Sequence, residues 1–252
     1  MSAAKLRIAT YNVHGCVGID RKRSEARIAD VIAEMSADIV ALQELDLGRR
    51  RSSGADQTKM IAEQLGWHSH FHPAMRREDE HYGNAILSRY PLSLRRAVEL
   101  PGVPPFFCRE TRAALEVEIE TNLGNVHIIN THLGLGWRER FVQAQLFTTA
   151  EWQAAIASDI PLVLLGDFNS LRGSRPYRTL SRHMRNIREL IRTTAPIRTF
   201  PTRFPVLGVD HIFVNPAIQP LTATVHRSPL ARIASDHFPL VGEFVLSPRH
   251  PE

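Results

Sequence analysis

Mixed or antiparallel β-sheets with helices packed outside are the architecture that this 252-residue sequence predicts. Three observations carry the prediction. β-rich and helix-periodic segments are interleaved along the whole chain. Neighbouring apolar runs often face each other across short turns, as hairpins do, which excludes a strict βαβ wind. A 43% hydrophobic content over this length suffices for one large core. No repeat with a period of about 20–50 residues, low-complexity segment or linker interrupts the chain, so one domain over residues 1–252 is expected, with its core at about 6–246.

The elements follow in order. Residues 6–13 alternate and are β-rich, a strand. Ser24 caps a helix over 25–35, with Ile28, Val31, Ile32 and Met35 on its apolar stripe. Residues 38–42 read as a short buried strand ending at Gln43 and Glu44. Asp56 caps a second helix, with Met60, Ile61 and Leu65 inward and Gly66 as its stop. Residues 85–87 and 92–98 are strands separated by Tyr90-Pro91. His68, His70 and His72 alternate, as on a polar strand face.

Residues 102–107 form a loop holding Phe106 and Phe107, either core packing or an apolar lip. Strands at 113–119 and 126–131 flank a turn at 121–124. The longest helix is expected over 137–156, striped by Phe141, Ala144, Gln145, Thr148 and Trp152. Residues 162–165 are an apolar strand. The Arg-rich segment 171–205 shows no clean period and predicts short helices and loops. Strands at 209–214, 223–226 and 239–246 close the chain, and the tail from 247 is expected to fray.

The balance is basic, 31 Lys+Arg against 26 Asp+Glu, a net +5. A cationic surface suits phosphate-bearing partners. Cys16 and Cys108 form no CxxC, which excludes a disulfide framework and points to reduced thiols. The N-terminus lacks an apolar signal core, and no apolar run approaches the roughly 18 residues of a membrane span. A cytoplasmic protein is expected.

The informative pattern is where polar residues sit. Asn12 lies near the end of the first strand and Glu44 at the end of the second. His132 follows the run at 126–131, and Asp167 and Asn169 follow the strand at 162–165. Asp210 lies at the edge of one late strand, and Asp236 with His237 just before another. Any one Asp or Asn after a strand is ordinarily a turn former. Together they gather carboxylates, amides and histidines on sheet edges, where they can form one polar pocket. Such a set suits phosphate-ester hydrolysis. Carboxylates prefer a hard divalent cation, which polarises a phosphoryl oxygen. An Asp beside an Asn can activate water, and a histidine held by an aspartate can donate to a phosphate oxygen. His14, two residues after Asn12, shares its strand face, lining the pocket or structural; His211 points the opposite way from Asp210.

The ordered series TYNVHG, LQE, YGNAILSRYP, NTHL, GDFN, VDHIFV and SDHFPL resembles the endonuclease/exonuclease/phosphatase superfamily from about residue 6 to 246. The resemblance implies a four-layer α/β/β/α sandwich of two mixed sheets with the site at one edge. It implies Mg²⁺, or Mn²⁺, with Glu44 as main ligand, Asn12 beside it and Asp236 in the metal shell. Asp167 would activate the attacking water and Asn169 orient it and stabilise the transition state. His237, oriented by Asp210, would bind the scissile phosphate. His132 stands where the sphingomyelinase- and phosphatase-like branches carry histidine and the abasic-site endonucleases tyrosine. Arg112 and Asn84 match positions near the substrate phosphate. NVHGCVG, HLGLGWRER and HRSPLARIASDH are most similar to small bacterial metal-dependent hydrolases of that superfamily. The expected partner is a phosphate ester: a phospholipid head group or small molecule first, nucleic acid second. A non-catalytic binding module on the same fold is the reading from a different class.

Overall fold

The computed structural model describes residues 5–104, 110–157, 159–191 and 196–246. The loop call at Phe106 and Phe107, together with Cys108, lies outside them. Among the described residues, twelve strands form two six-stranded sheets. The first sheet runs, in spatial order, β11 (Ile218–Val225), β12 (Leu240–Leu246), β1 (Leu6–Asn12), β2 (Ile39–Leu47), β4 (Glu80–Ser88) and β3 (His68–Arg77). The second runs β5 (Leu92–Leu100), β6 (Arg112–Thr121), β7 (Gly124–His132), β8 (Leu162–Asp167), β10 (Asp210–Val214) and β9 (Arg185–Asn186). Both are mixed: β1 pairs with β2, and β7 with β8, in parallel, and the other pairs are antiparallel.

Three apolar layers hold the sheets together. Ile8, Ile39 and Ile86 of the first sheet meet Val117, Ile128 and Leu165 of the second in the central layer. Val40, Leu42 and Leu87 turn the other way, onto α1 (Glu25–Met35), α2 (Gln57–Leu65) and α7 (Pro229–Ala234). Ile129, Leu164 and Phe213 do the same on the outer face of the second sheet. They pack under α3 (Trp137–Leu146), α4 (Ala150–Ile156) and α5 (Arg175–Leu180). A strand buried on both faces must be apolar at consecutive positions, which is why 162–165 carries no alternation. The result is the four-layer α/β/β/α sandwich that the resemblance implied. Ser24 and Asp56 accept the N-terminal amides of Arg27 and Lys59, and Gly66 ends α2 at φ +66°.

Some boundaries differ from expectation. The helix foreseen over 137–156 is two helices. The hydroxyls of Thr148 and Thr149 donate to the carbonyls of Gln145 and Leu146. These bonds satisfy the end of α3 and let the chain change direction. The alternating histidines lie on β3, a ten-residue edge strand that tolerates Pro73 at a register shift. β2 runs five residues past its predicted end because a bulge resets its pairing: Leu42 faces Ala85 and Leu45 faces Gly83, so Gln43 and Glu44 together oppose Asn84.

β8 ends on a close approach. A Cβ on Gly166, which has φ +148°, would lie 1.8 Å from the carbonyl oxygen of Thr131 on β7. Gly166→Ala is therefore expected to cost about 3 kcal/mol, a fall in Tm of roughly 6–12 °C. A thermal melt followed by circular dichroism checks it, and an unchanged Tm would remove the close-approach argument.

Candidate active site

Parallel pairing puts the C-terminal ends of β1 and β2 on one edge of the first sheet, and those of β7 and β8 on the same edge of the second. β10 and β12, antiparallel to their neighbours, begin at that edge: Asp210 faces Asp167, and Leu240 faces Thr10. Polar residues at strand ends scattered over 225 positions of sequence thus meet in space. The bulge in β2 turns Glu44 into this edge at φ +65°, a conformation that costs a non-glycine residue energy. Asn130, buried in β7 of the opposite sheet, stabilises it by donating to the carbonyls of Leu42 and Ala85 and accepting from Gln43.

Asp167 lies at the centre. Its Oδ1 accepts the backbone N–H of Asn169 at 2.8 Å, and its Oδ2 accepts Asn12 Nδ2 at 3.1 Å. The same Oδ2 lies 3.6 Å from both His132 Nε2 and His237 Nε2. Burial raises the carboxyl to about 6 against the opposing field of His237. His237 is buried too, which disfavours its charge, yet the carboxylates of Asp210 and Asp167 outweigh this and lift it to about 10. Its Nδ1 donates to Asp210 Oδ2 at 3.0 Å, and the ring of Phe200 covers it at a centroid distance of 4.7 Å.

His132 has the opposite charge state. Burial and then Arg112 push it well below the ordinary histidine range. Arg112 Nη1 sits 3.0 Å from His132 Nδ1. A guanidinium only donates, so Nδ1 must accept and the ring proton belongs to Nε2. That Nε2–H faces Asp167 Oδ2 and also the amide of Asn169, whose Nδ2 is 3.1 Å away and donates to the carbonyl of Leu133 at 2.9 Å. Both groups are donors in direct contact, and a single anionic oxygen beside the pair could accept from both. Asn169 itself adopts φ +47°, which asparagine tolerates better than most residues.

Around Glu44 the chemistry is acidic and more open. Glu44 Oε1 accepts Asn12 Nδ2 at 2.8 Å. The other Glu44 oxygen and Asp236 Oδ2 lie 3.5 and 3.8 Å from His14 Nδ1, with the two acidic side chains 22% and 34% exposed. Burial opposes the charge of Glu44, but the hydrogen bonds from His14 and Asn12 hold it far below the usual carboxylate range. His14 is raised in turn, chiefly by Glu44. Two carboxylate oxygens converging on one imidazole nitrogen, with access to solvent, form a donor set that suits a hard divalent metal. Asp167, Asp210 and His237 also place one ligand atom each within 4.8 Å of one another. They are buried and bonded among themselves, which suits proton handling better than coordination.

The residues expected to form the site, Asn12, Glu44, Asn84, Arg112, His132, Asp167, Asn169, Asp210, Asp236 and His237, lie toward this edge. Arg112 is buried behind His132, and Asp236 stands on the rim. Asn84 is buried opposite the bulge, its amide donating to Ala113 O at 3.1 Å across the sheets. His211 points away, as expected: its Nε2–H donates to the carbonyl oxygen of Ser170 at 2.7 Å. Sequence reasoning gave no role to Phe200, Gln43 or Asn130. An amide inside the apolar run of β7 was the one visible sign of the last.

Compared with known proteins, the sequence matches the Endonuclease/Exonuclease/phosphatase family over residues 9–237. It is similar to the uncharacterized protein YbhP of Escherichia coli strain K12 at 30% identity over 259 residues, covering 95% of this chain and 96% of that protein. An endonuclease/exonuclease/phosphatase from Beutenbergia cavernae has a similar structure, with a TM-score of 0.75 and 23% identity over 96% of this chain and 72% of that one. So does a mannosyl-6-phosphatase from Bacteroides thetaiotaomicron, with a TM-score of 0.74 and 22% identity over 96% of this chain and 100% of that one. At such identities the two structures speak for the fold.

Proposed function

The chain belongs to the endonuclease/exonuclease/phosphatase family, and from that premise we propose that it is a divalent-metal-dependent phosphoesterase hydrolysing a phosphodiester or phosphomonoester by in-line attack of water. The observation that carries this reading is Asp167: a buried, acceptor-only carboxylate, raised to about 6, ringed by donors from Asn12, His132 and His237. A base with its pKa near neutrality is what proton abstraction from water needs.

Glu44, with Asn12 and Asp236, would hold Mg²⁺ or Mn²⁺. Bound there, the cation would polarise a phosphoryl oxygen and neutralise charge on the leaving oxygen. The chain's own residues do the rest. Asp167 takes the water proton as the water oxygen bonds to phosphorus and the P–O bond in line opposite breaks, releasing the leaving alkoxide or phenoxide. Asn169 orients that water, and its amide, the His132 Nε2–H and the cationic His237 donate to phosphoryl oxygens where negative charge develops. Arg112 fixes the His132 tautomer from behind, and Asp210 keeps His237 charged. Asn84 is proposed to hold the rim beside Arg112.

The test is hydrolysis of bis(p-nitrophenyl) phosphate. Chelation with EDTA should lower the rate by at least about 10³-fold, and Mg²⁺ or Mn²⁺ should restore it in the wild type but not in Glu44→Ala. Undiminished turnover in EDTA would sink the metal half of the reading. A nuclease is the second reading, favoured by the net charge of +5. It predicts a steep loss of polynucleotide affinity with added salt. The non-catalytic reading has no observation in its favour.

A further inference from the structure

Most of the large exposed apolar side chains lie on the chain segments that carry the site residues. Eight large hydrophobic side chains are exposed among the described residues. Six of them, Leu135, Trp137, Leu171, Phe204, Val206 and Ile233, lie on the segments that carry the site residues. Leu135 and Trp137 follow His132 by three and five positions, and Leu171 follows Asn169 by two. Phe204 and Val206 precede Asp210 on its loop, and Ile233 precedes Asp236 by three. The segments are tied to one another: Thr202 N–H donates to Asp236 O, Arg232 Nη1 to Thr202 O, and Ile19 N–H to Ile233 O. Trp137 is 56% exposed and Phe204 73%, far more than burial-driven packing leaves for side chains of that size.

Each of four of these residues has an exposed arginine as its chain neighbour: Arg138 beside Trp137, Arg172 beside Leu171, Arg203 beside Phe204 and Arg232 beside Ile233. Arg138, Arg203 and Arg232 form no ion pair with a carboxylate among the described residues; Arg138 lies over the Trp137 ring at 5.1 Å, and Arg172 reaches Glu189 at 3.7 Å. The two exposed apolar residues elsewhere differ in this respect. Beside Met60 and Leu94, Lys59 and Arg95 are paired with Glu63 and Glu118. Beside exposed apolar side chains, cations without a carboxylate partner are therefore found on the segments that carry the site residues and not at Met60 or Leu94.

We propose that this edge docks on the surface of an anionic lipid bilayer, so that the site faces phospholipid head groups. The inference rests on the phosphoesterase reading for what happens after docking, but not for the docking itself. Tryptophan and phenylalanine beside aliphatic side chains enter the boundary between head groups and acyl chains, and arginines on the same loops meet anionic head groups. A single-stranded nucleic acid would use the aromatic rings and arginines, but it has no use for Leu135, Leu171, Val206 and Ile233, which cannot stack on bases.

The experiment uses the full chain and sedimentation with large unilamellar vesicles, of phosphatidylcholine alone or with about 30% phosphatidylglycerol. The expected result is sedimentation with the anionic vesicles, about tenfold or more weaker with the neutral ones, and a blue shift of tryptophan emission that Trp137→Phe removes. Trp152 is buried and Trp67 lies partly buried under Arg89, so Trp137 is the reporter. Trp137→Ser with Phe204→Ser should weaken vesicle binding about tenfold or more while leaving the melting temperature and turnover of bis(p-nitrophenyl) phosphate unchanged. Equal sedimentation of wild type and variant would overturn the proposal, as would single-stranded DNA binding that excludes the vesicles. A chain that binds anionic vesicles yet hydrolyses no phosphoester would sink the catalytic reading alone.

Discussion

Asp167→Asn should lower kcat for a soluble phosphodiester by about 10³–10⁴-fold in Mg²⁺, with the fold retained. The substitution keeps the size of a fully buried side chain and removes its ability to take a proton. It also creates a mismatch that follows from the hydrogen bonds. Both oxygens of Asp167 face donors: Asn169 N–H on one side, and Asn12 Nδ2 with two imidazole Nε2 atoms on the other. An asparagine would turn an amide N–H toward one of these sets in either orientation, so only an acceptor-only group satisfies the position. The mismatch is local, and the neutral side chain escapes the desolvation that a buried carboxylate suffers. The melt should therefore shift by a few degrees while turnover collapses. Wild-type kcat in the variant would remove Asp167 from the proposed role, and a variant that fails to melt cooperatively would leave the fold, not the chemistry, as its purpose.

Much of this was visible before any coordinates. A strand buried on both faces must be apolar along its length, so the polar residues that bound it at either end mark a sheet edge. That rule placed Asp167, His132 and Asp210 without geometry. Their shared edge needed only the ordered motifs. What stayed hidden depends on pairing between distant segments. The bulge at Gln43 and Glu44 arises because β4 offers Asn84 alone against two residues of β2. It carries no local signature, since neither a glycine nor a turn residue marks it. Asn130, which stabilises it, reads in sequence as a fault in an apolar strand. Likewise the charge states of His132 and His237 are not properties of histidine in NTHL or SDHF. They are set by burial and by which neighbour each ring meets: burial and then Arg112 keep His132 neutral, while Asp210 charges His237 against its burial. The split of the helix at Thr148 and Thr149 was missed for a simpler reason: an apolar stripe continued across it, and side-chain bonds to carbonyls interrupt a helix without breaking its periodicity.

Asp210→Asn is the variant that separates positioning from packing. Asp210 touches no reacting atom; it acts through His237. One of its oxygens accepts His237 Nδ1–H, and the other, Oδ1, is buried with no hydrogen-bond partner. An asparagine can keep the first contact through its carbonyl and set its amide where Oδ1 was, so the ring orientation should survive and only the charge is lost. The pKa of His237 should then fall from about 10 by about 1–3 units, and the alkaline limb of kcat should move down with it, so that turnover at pH 9 falls by about 2–100-fold while turnover at neutral pH holds within about twofold. Titration of the His237 ring resonances in EDTA-treated protein reads the first effect directly, and a purely structural role for Asp210 would not move it. Stability gives an independent check. The folded pKa of His237 lies above that of a free histidine, about 6.5, so its contribution is present in full below that value and is lost as pH rises through about 10. Asp167 adds a loss at lower pH: its folded value, about 6, exceeds the ordinary 3.9 or so, so ionising it removes stability as pH rises through that interval. Replacing Asp210 should shrink the alkaline loss, because the variant has less favourable charge at His237 to lose. An unaltered His237 titration beside reduced turnover would assign Asp210 some other part in the site, and an unaltered turnover at pH 9 beside a lowered pKa would show that the phosphate does not need His237 in its cationic form.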